Sequence, residues 1–246
     1  MSKDIRVGGA VLLQDEHFGM QNPWSQPVVG WVENSQGVGG LHNPYGFAMP
    51  RIVLQKLIDG AMRPLYDQPV IIENAGSIVI PQLGERVGLV RNFRMVGERL
   101  LSEAGANYIK ELQAQNLWGK LIESLGAWRW ECPRGLIPPD VQQTNGESLI
   151  DFVVRTAKLE ALEEAGFRIE EARIVGRVNT NPTFFPHPQY IVHARIVSIG
   201  NASPENLEII GERKLFTMEE LRALNDVGEF DDGLTLAALA LCGLSL

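Results

Sequence analysis

The spacing of apolar positions changes along the chain, and the changes mark out its elements. Residues 1–45 hold short apolar runs, "AVLL" and "PVVGWV", among Gly, Asn, Pro and Gln, which predicts strands and loops. "RIVLQKLIDGAM", 51–62, has apolar positions at helical spacing and predicts a helix. From Pro69 the period shortens to two. "PVIIENAGSIVIPQL" and "RVGLVRNFRMVG" alternate β-branched and polar residues and predict successive strands. "NYIKELQAQNLWGKLIESLG", 107–126, predicts a helical stretch interrupted near Gly119. "LIDFVVRTAKLEALEEAG" predicts a longer helix with Gly166 in the place of a C-cap. "ARIVGRVNT" and "QYIVHARIVSI" predict two more strands. Thr217 and Glu220 form a capping-box pattern at the start of "TMEELRAL". "DDGLTLAALALCGL" predicts a closing helix. The pattern describes an α+β chain: a mixed sheet with helices packed on it, behind a smaller N-terminal region of strands and one helix.

Composition narrows the function classes. The 246 residues suit one large domain or two unequal ones, and 45% hydrophobic with 21% charged content is ordinary for a globular chain. The net charge of −8 and the lack of a basic run argue against nucleic acid as partner. Cys132 and Cys242 give neither a disulfide framework nor a zinc pattern and fit a reducing cytoplasm. The N-terminal stretch lacks the long apolar segment of a signal peptide, and the apolar tail is too short to span a bilayer.

One stretch is physically odd. "LEALEEAGF" places Glu160, Glu163 and Glu164 within five residues at the end of the long helix. Like charges four apart repel, and a helix C-terminus already carries partial negative charge. At about 100° per residue the three side chains fall within about 60° of Glu160, on one side of the helix. Spacing alone favours a solvated acidic face. A hard divalent cation such as Mg²⁺ is the alternative, because it takes oxygen ligands of this kind and fills its remaining positions with waters and substrate phosphates.

The surroundings of these acids resemble a Nudix hydrolase. "SIVIPQLGERVGLVRNFRMVGERL", "WRWECPRGLI", "EALEEAGF", "LEIIGERKLFTMEELRAL" and "GEFDDGLTLAALAL" carry the resemblance, over about residues 67–246. It is nearest the branch that cleaves ADP-ribose and nucleoside-diphosphate sugars. Glu160, Ala161, Glu163, Glu164, Gly166 and Phe167 match the second half of the family's box, and Gly135 matches its opening glycine. The chain departs from the pattern in two places. Gly135 and Glu160 stand 25 positions apart, about ten more than the family has. The arginine expected just before Glu160 is Leu159. Glu147 and Arg155 nevertheless keep the box's separation of glutamate and arginine. The insertion between Arg155 and Glu160 is about one helical turn, which leaves Arg155 on nearly the face of position 159, about 6 Å along the axis. Arg155 is therefore expected to orient the acids in place of the missing arginine.

The resemblance implies a Nudix fold, an α/β/α sandwich, in a domain 67–246. The N-terminal region 1–66 would serve a homodimer or the substrate pocket. It implies Mg²⁺ or Mn²⁺ on Glu160, Glu163 and Glu164, with the backbone carbonyl of Arg134 as a further ligand. Hydrolysis would cut the pyrophosphate bridge of a nucleoside diphosphate linked to another group, ADP-ribose or a nucleotide sugar. A loop glutamate would assist, and Glu205 and Glu208 are both candidates. Arg91 and Arg94 are candidate phosphate partners, since guanidinium pairs with phosphate in a bidentate way, and surface ion pairing is the competing reading. His187 and His193 lack metal-ligand spacing. Trp118, Trp128 and Trp130 suit a core or interface better than a base-stacking site. The "GVGG" at 37–40 lacks the Lys-Ser/Thr ending of a phosphate loop. The rival reading is a Nudix-fold module that binds such a ligand without cleaving it, and Leu159 is the residue that favours it.

Overall fold

A computed structural model describes residues 5–12, 50–59, 61–71, 76–94, 96–97, 99–101, 103–137, 142–204, 209–244 and 246. The expected strand in "PVVGWV", the "GVGG" segment and the two loop acids Glu205 and Glu208 lie outside the described residues.

Three strands form one sheet: β1 (Ile5–Leu12), β2 (Pro50–Ile58) and β3 (Ala61–Pro69), in the order β1-β2-β3 with both ladders antiparallel. The helix expected over 51–62 is thus a strand and the start of the next. The apolar residues that mimic helical spacing include the β-branched Ile52, Val53 and Ile58, which favour extended backbone. The chain then turns after Asp59. Asp59 sits at φ 51°, and Ile58 faces Ala61 across the two-residue connection.

The second sheet has seven strands: β4 (Gly76–Leu83), β5 (Arg86–Arg94), β6 (Ala127–Glu131), β7 (Arg134–Leu136), β8 (Phe167–Val178), β9 (Gln189–Ile199) and β10 (Ile210–Phe216). Its order is β10-β5-β4-β9-β8, with β6 paired to β5 and β7 to β4. The helices are α1 (Tyr108–Ala114), α2 (Trp118–Ser124), α3 (Leu149–Ala165), α4 (Met218–Asp226) and α5 (Gly233–Leu241). The fold is α+β, a mixed sheet with flanking helices. Ile78, Val79 and Ile80 of β4 are all buried, the mark of a strand covered on both faces. The break between α1 and α2 falls at 115–117, not at Gly119, which lies inside α2. Asn116 takes the left-handed conformation there, φ 51°, which asparagine tolerates better than most residues. The β10 segment, "IGERKLF", is too polar to stand out by periodicity. The capping box of α4 is complete, and Asp232 caps α5 through the Thr235 amide.

Contacts divide the chain into two compact units. The first is Met1–Val79, Arg134–Glu160 and Glu171–His193; the second is Ile80–Pro133, Ala161–Glu170 and Ala194–Leu246. In the first, β7 pairs with β4, Gly135 opposite Ser77, and Phe152, Val153, Ile191 and Val192 are buried. In the second, β5 is flanked by β6 and β10, Trp130 meets the Phe216 ring edge-on at 4.7 Å, and Leu221, Phe230 and Leu239 are buried. A Cβ on Gly88 would come within 2.8 Å of the Phe167 ring, so β5 needs a glycine there.

The helix α3 is one unbroken element of 17 residues. Phe152, Val153, Thr156, Ala157, Ala161, Glu164 and Ala165 form its buried stripe, at the spacing of one helix face. Gly166 ends it at φ 63°, its amide donating to Leu162 O at 2.8 Å. Ala in place of Gly166 meets two obstacles. The left-handed conformation costs roughly 1–2 kcal/mol, and the new Cβ would lie 2.5 Å from Gly200 O. Gly166→Ala should therefore lower the unfolding free energy by at least about 1 kcal/mol. Denaturant titration checks this; an unchanged midpoint would contradict the tight packing at the helix end.

Candidate functional site

The three acids of α3 do not share one environment. Glu164 lies on the buried stripe at 1% exposure, while Glu160 and Glu163 are half-buried. A solvated acidic face therefore does not describe them. Burying a carboxylate is costly unless charge or hydrogen bonding compensates it, so this turn of the helix is held where it is by its surroundings.

Gly135 supplies part of those surroundings. It lies in the three-residue strand β7, between Arg134 and Leu136, with Arg134 opposite Ile78 of β4. A Cβ at Gly135 would collide with the carboxylate of Glu160. The absence of a side chain there is what admits the Glu160 head group beside the β7 backbone. Gly76 is similar: a Cβ would come 2.7 Å from Gly135 O and would also strike the Gln189 side chain. Two glycines on adjacent strands thus keep this patch clear.

A bidentate pair ties the loop before α3 to the helix. Arg155 Nε donates to Glu147 Oε1 at 2.9 Å and Arg155 Nη2 to Glu147 Oε2 at 3.0 Å, a bidentate ion pair. Arg155 Nη2 also donates to Gln142 O at 3.1 Å, and the amide of Thr144 donates to Glu147 Oε2 at 2.9 Å. The hydrogen bonds from Arg155 and Thr144 hold the Glu147 carboxyl far below its ordinary range, at about 2. Leu159, one turn on, is 42% exposed.

The other end of α3 is held by the chain between β9 and β10. The amide of Ser203 donates to Glu163 O, and that of Gly200 to Gly166 O, both at 2.8 Å. Arg213, in β10, donates to Ala165 O. Neither Ser203 nor Arg213 carries a motif that reveals this in the sequence. The capping pattern that does show, Gly166, says only that the helix ends there.

The two candidate phosphate arginines are both engaged by acids. Arg91 Nη1 meets Glu212 Oε1 at 3.3 Å across β5 and β10. Arg94 pairs with Glu131, which is 1% exposed, through Nε at 3.0 Å and through Nη2; Asn92 adds a donor to the same carboxylate at 3.0 Å. Burial opposes the Arg94 charge, but the hydrogen bond and charge of Glu131 outweigh it and leave the guanidinium pKa raised. Glu131 is a buried anion that the sequence hides, because its strand reads as aromatic and apolar. Burial, then the Arg173 charge, lowers the pKa of His193, and His187 is exposed. Trp130 is buried, Trp118 and Trp128 are exposed, and Trp128 meets Phe93 edge-on at 5.6 Å.

In donor chemistry the α3 acids suit a hard divalent ion, since they offer carboxylate oxygens only. In placement, no group of three acids, histidines or cysteines among the described residues converges on one point. Three carboxylates repel one another, and a cation is the group that would draw them together.

No protein-family model matches the chain, and no curated protein matches it. Solved structures do. The chain is similar to a crystal structure of an ADP compounds hydrolase, with a TM-score of 0.52 and 18% identity over 87% of this chain and 89% of that one. A NUDIX hydrolase from Nitrosomonas europaea gives a TM-score of 0.44 and 16% identity over 69% of this chain and 88% of that one. The first likeness spans nearly the whole of both chains and shows a shared fold. The fold class expected from the sequence is the one found. No helix among the described residues is long and apolar enough to cross a membrane.

The Glu147–Arg155 pair has a pH signature. The folded-state pKa of Glu147 is depressed from 4.5 to about 2. Its contribution to stability is therefore complete above about pH 4.5 and disappears as pH falls toward 2. Arg155→Gln should flatten the acid limb of the stability curve in that window and leave its neutral-pH shape intact. Superimposable acid limbs in urea titrations of the two proteins would show that the pair does not form.

Proposed function

We propose that this chain is a metal-dependent hydrolase of phosphoanhydrides in the Nudix manner. Its substrate is a nucleoside diphosphate joined to another group, with ADP-ribose or a nucleotide sugar foremost. The observation that carries this reading is the contact of Gly135 with Glu160. The two positions lie 25 apart in a box that has been lengthened, yet the glycine still makes room for the glutamate head group. That clearance places the Glu160 carboxylate beside the β7 backbone, as a metal-binding glutamate of such a box would need.

In this reading Glu160, Glu163 and Glu164 hold Mg²⁺ or Mn²⁺, with the Arg134 carbonyl as a further ligand. A bound ion would supply charge neutralisation at phosphorus and would lower the pKa of an attacking water. The chain's own residues set the geometry. Gly135 admits the Glu160 carboxylate. Arg155, bound to Glu147, orients the start of α3 in place of the arginine that Leu159 replaces. The backbone of 200–204 fixes the end of α3 and leads to Glu205 and Glu208, either of which can act as the assisting base. Arg91 and Arg94 would reach a substrate phosphate only through N–H groups not engaged by Glu212 and Glu131. The region 1–66 serves a homodimer or the substrate pocket, and the cytoplasm is the compartment that suits two unpaired thiols. The ADP compounds hydrolase of the same fold supports the choice of substrate class.

A second reading rests on Leu159. With an exposed leucine at the box arginine's position, the chain would bind a diphosphate ligand and leave it intact.

Incubation with ADP-ribose and with nucleotide sugars decides between them. The enzyme yields a nucleoside monophosphate and a sugar phosphate, requires Mg²⁺ or Mn²⁺, and stops in EDTA. Gly135→Ala, which pushes the Glu160 head group aside, should cut kcat/KM by roughly 10²-fold with little change in thermal stability. Binding of these compounds at micromolar levels, a common range for small ligands, without cleavage by either metal would make the chain a sensor.

A further inference from the structure

We infer that Arg213 is a positioning residue, whose guanidinium locks the acid-bearing end of α3 and the segment 200–204 into one arrangement. Its consequence for turnover rests on the hydrolase reading, while the lock itself does not.

A helix leaves its last four carbonyls without intrahelical partners. At the end of α3 the carbonyls of Glu163, Ala165 and Gly166 receive donors from outside the helix: the Ser203 amide, the Arg213 guanidinium and the Gly200 amide. All come from the β9–β10 connection and from β10 itself. This stretch of chain therefore caps the helix end, and Arg213 is the charged group among the three donors. A cation is favoured at this position, because the helix end carries partial negative charge and Glu163 and Glu164 add to it.

The geometry leaves little freedom. The backbone of Arg213 is fixed in the antiparallel ladder with β5, opposite Val90. Its side chain is partly buried, and a Cβ on Gly166 would collide with Nη1. The same absent Cβ faces Gly200 O and Asn201. The guanidinium, the helix end and residues 200–201 thus meet around one glycine. Ser203, two positions before Glu205, is bonded to the carbonyl of Glu163, a candidate metal ligand. A site on a strand-anchored side chain is held more closely than one on a loop alone.

Amide hydrogen exchange and kinetics on Arg213→Gln and Arg213→Lys test this in the full chain. Arg213→Gln should raise the exchange rate of the Gly200 and Ser203 amides by about tenfold or more, with the β5–β10 ladder amides unchanged. Its kcat on ADP-ribose with Mg²⁺ should fall by about tenfold or more while KM stays within about twofold. Arg213→Lys, which keeps the charge and a donor, should restore most of both. Unchanged exchange at Gly200 and Ser203 in Arg213→Gln overturns the inference. So does a uniform rise across the ladder amides in both variants, which would mean general destabilisation. Local exchange changes as expected in a chain that cleaves no phosphoanhydride would leave the lock in place and overturn the hydrolase reading.

Discussion

Three carboxylates at the negative end of a helix are the constraint around which this structure is arranged. Left to local energetics, Glu160, Glu163 and Glu164 would weaken the last turns of α3. The chain holds those turns from both sides of the sequence. Ahead of α3, the Glu147–Arg155 pair ties the preceding loop down. After it, Gly200, Ser203 and Arg213 take up carbonyls of the helix end. Beside it, Gly135 gives way to Glu160. Each device is modest by itself, and all of them act within a short stretch of one helix. The contacts fix the backbone of these turns, and with it the positions from which the three acids project.

The pair of Glu131 and Arg94 follows the same logic at a different place. A buried carboxylate is costly unless paired and hydrogen-bonded, and β5 supplies both the half-buried Arg94 and Asn92 as donors to Glu131. Removing Arg94 would leave the Glu131 carboxylate buried without its cation, while Arg94 itself is half-buried. Nearby, the Cys132 thiol is pushed well up, chiefly by burial, and its amide donates to Thr235 Oγ1 at 3.0 Å. That thiol is structural rather than nucleophilic.

Much of this was legible in the residues, and the rest was hidden for identifiable reasons. The period-two runs at β4, β5, β8 and β9, the helix α3 with its terminal glycine, and the Thr217–Glu220 box read directly, because local pattern and tertiary structure agree there. The stretch 51–62 misled because a hairpin of apolar strands around Asp59–Gly60 can copy the spacing of a helix face; the Asp-Gly pair was the better signal. The interruption expected near Gly119 is present but centred on Asn116, because left-handed asparagine rather than glycine makes the break. At the site, the box spacing singled out Glu147 and Arg155 together, and the structure pairs them with each other. Arg213, Ser203 and Glu131 were not singled out, since each acts through a long-range contact that no local spacing encodes.

The central claim is that the end of α3 holds divalent cations, and direct ion binding tests it most plainly. Mn²⁺ titrated into the protein and followed by electron paramagnetic resonance reports bound ion without any need for substrate or turnover. The account predicts saturable binding that is weakened by about tenfold or more in Glu160→Gln, Glu163→Gln and Glu164→Gln, as expected when an oxygen ligand loses its charge. Glu219→Gln, an exposed acid in the first turn of α4, should bind Mn²⁺ as the unaltered chain does. Equal Mn²⁺ affinity in all four variants and the unaltered protein would contradict it.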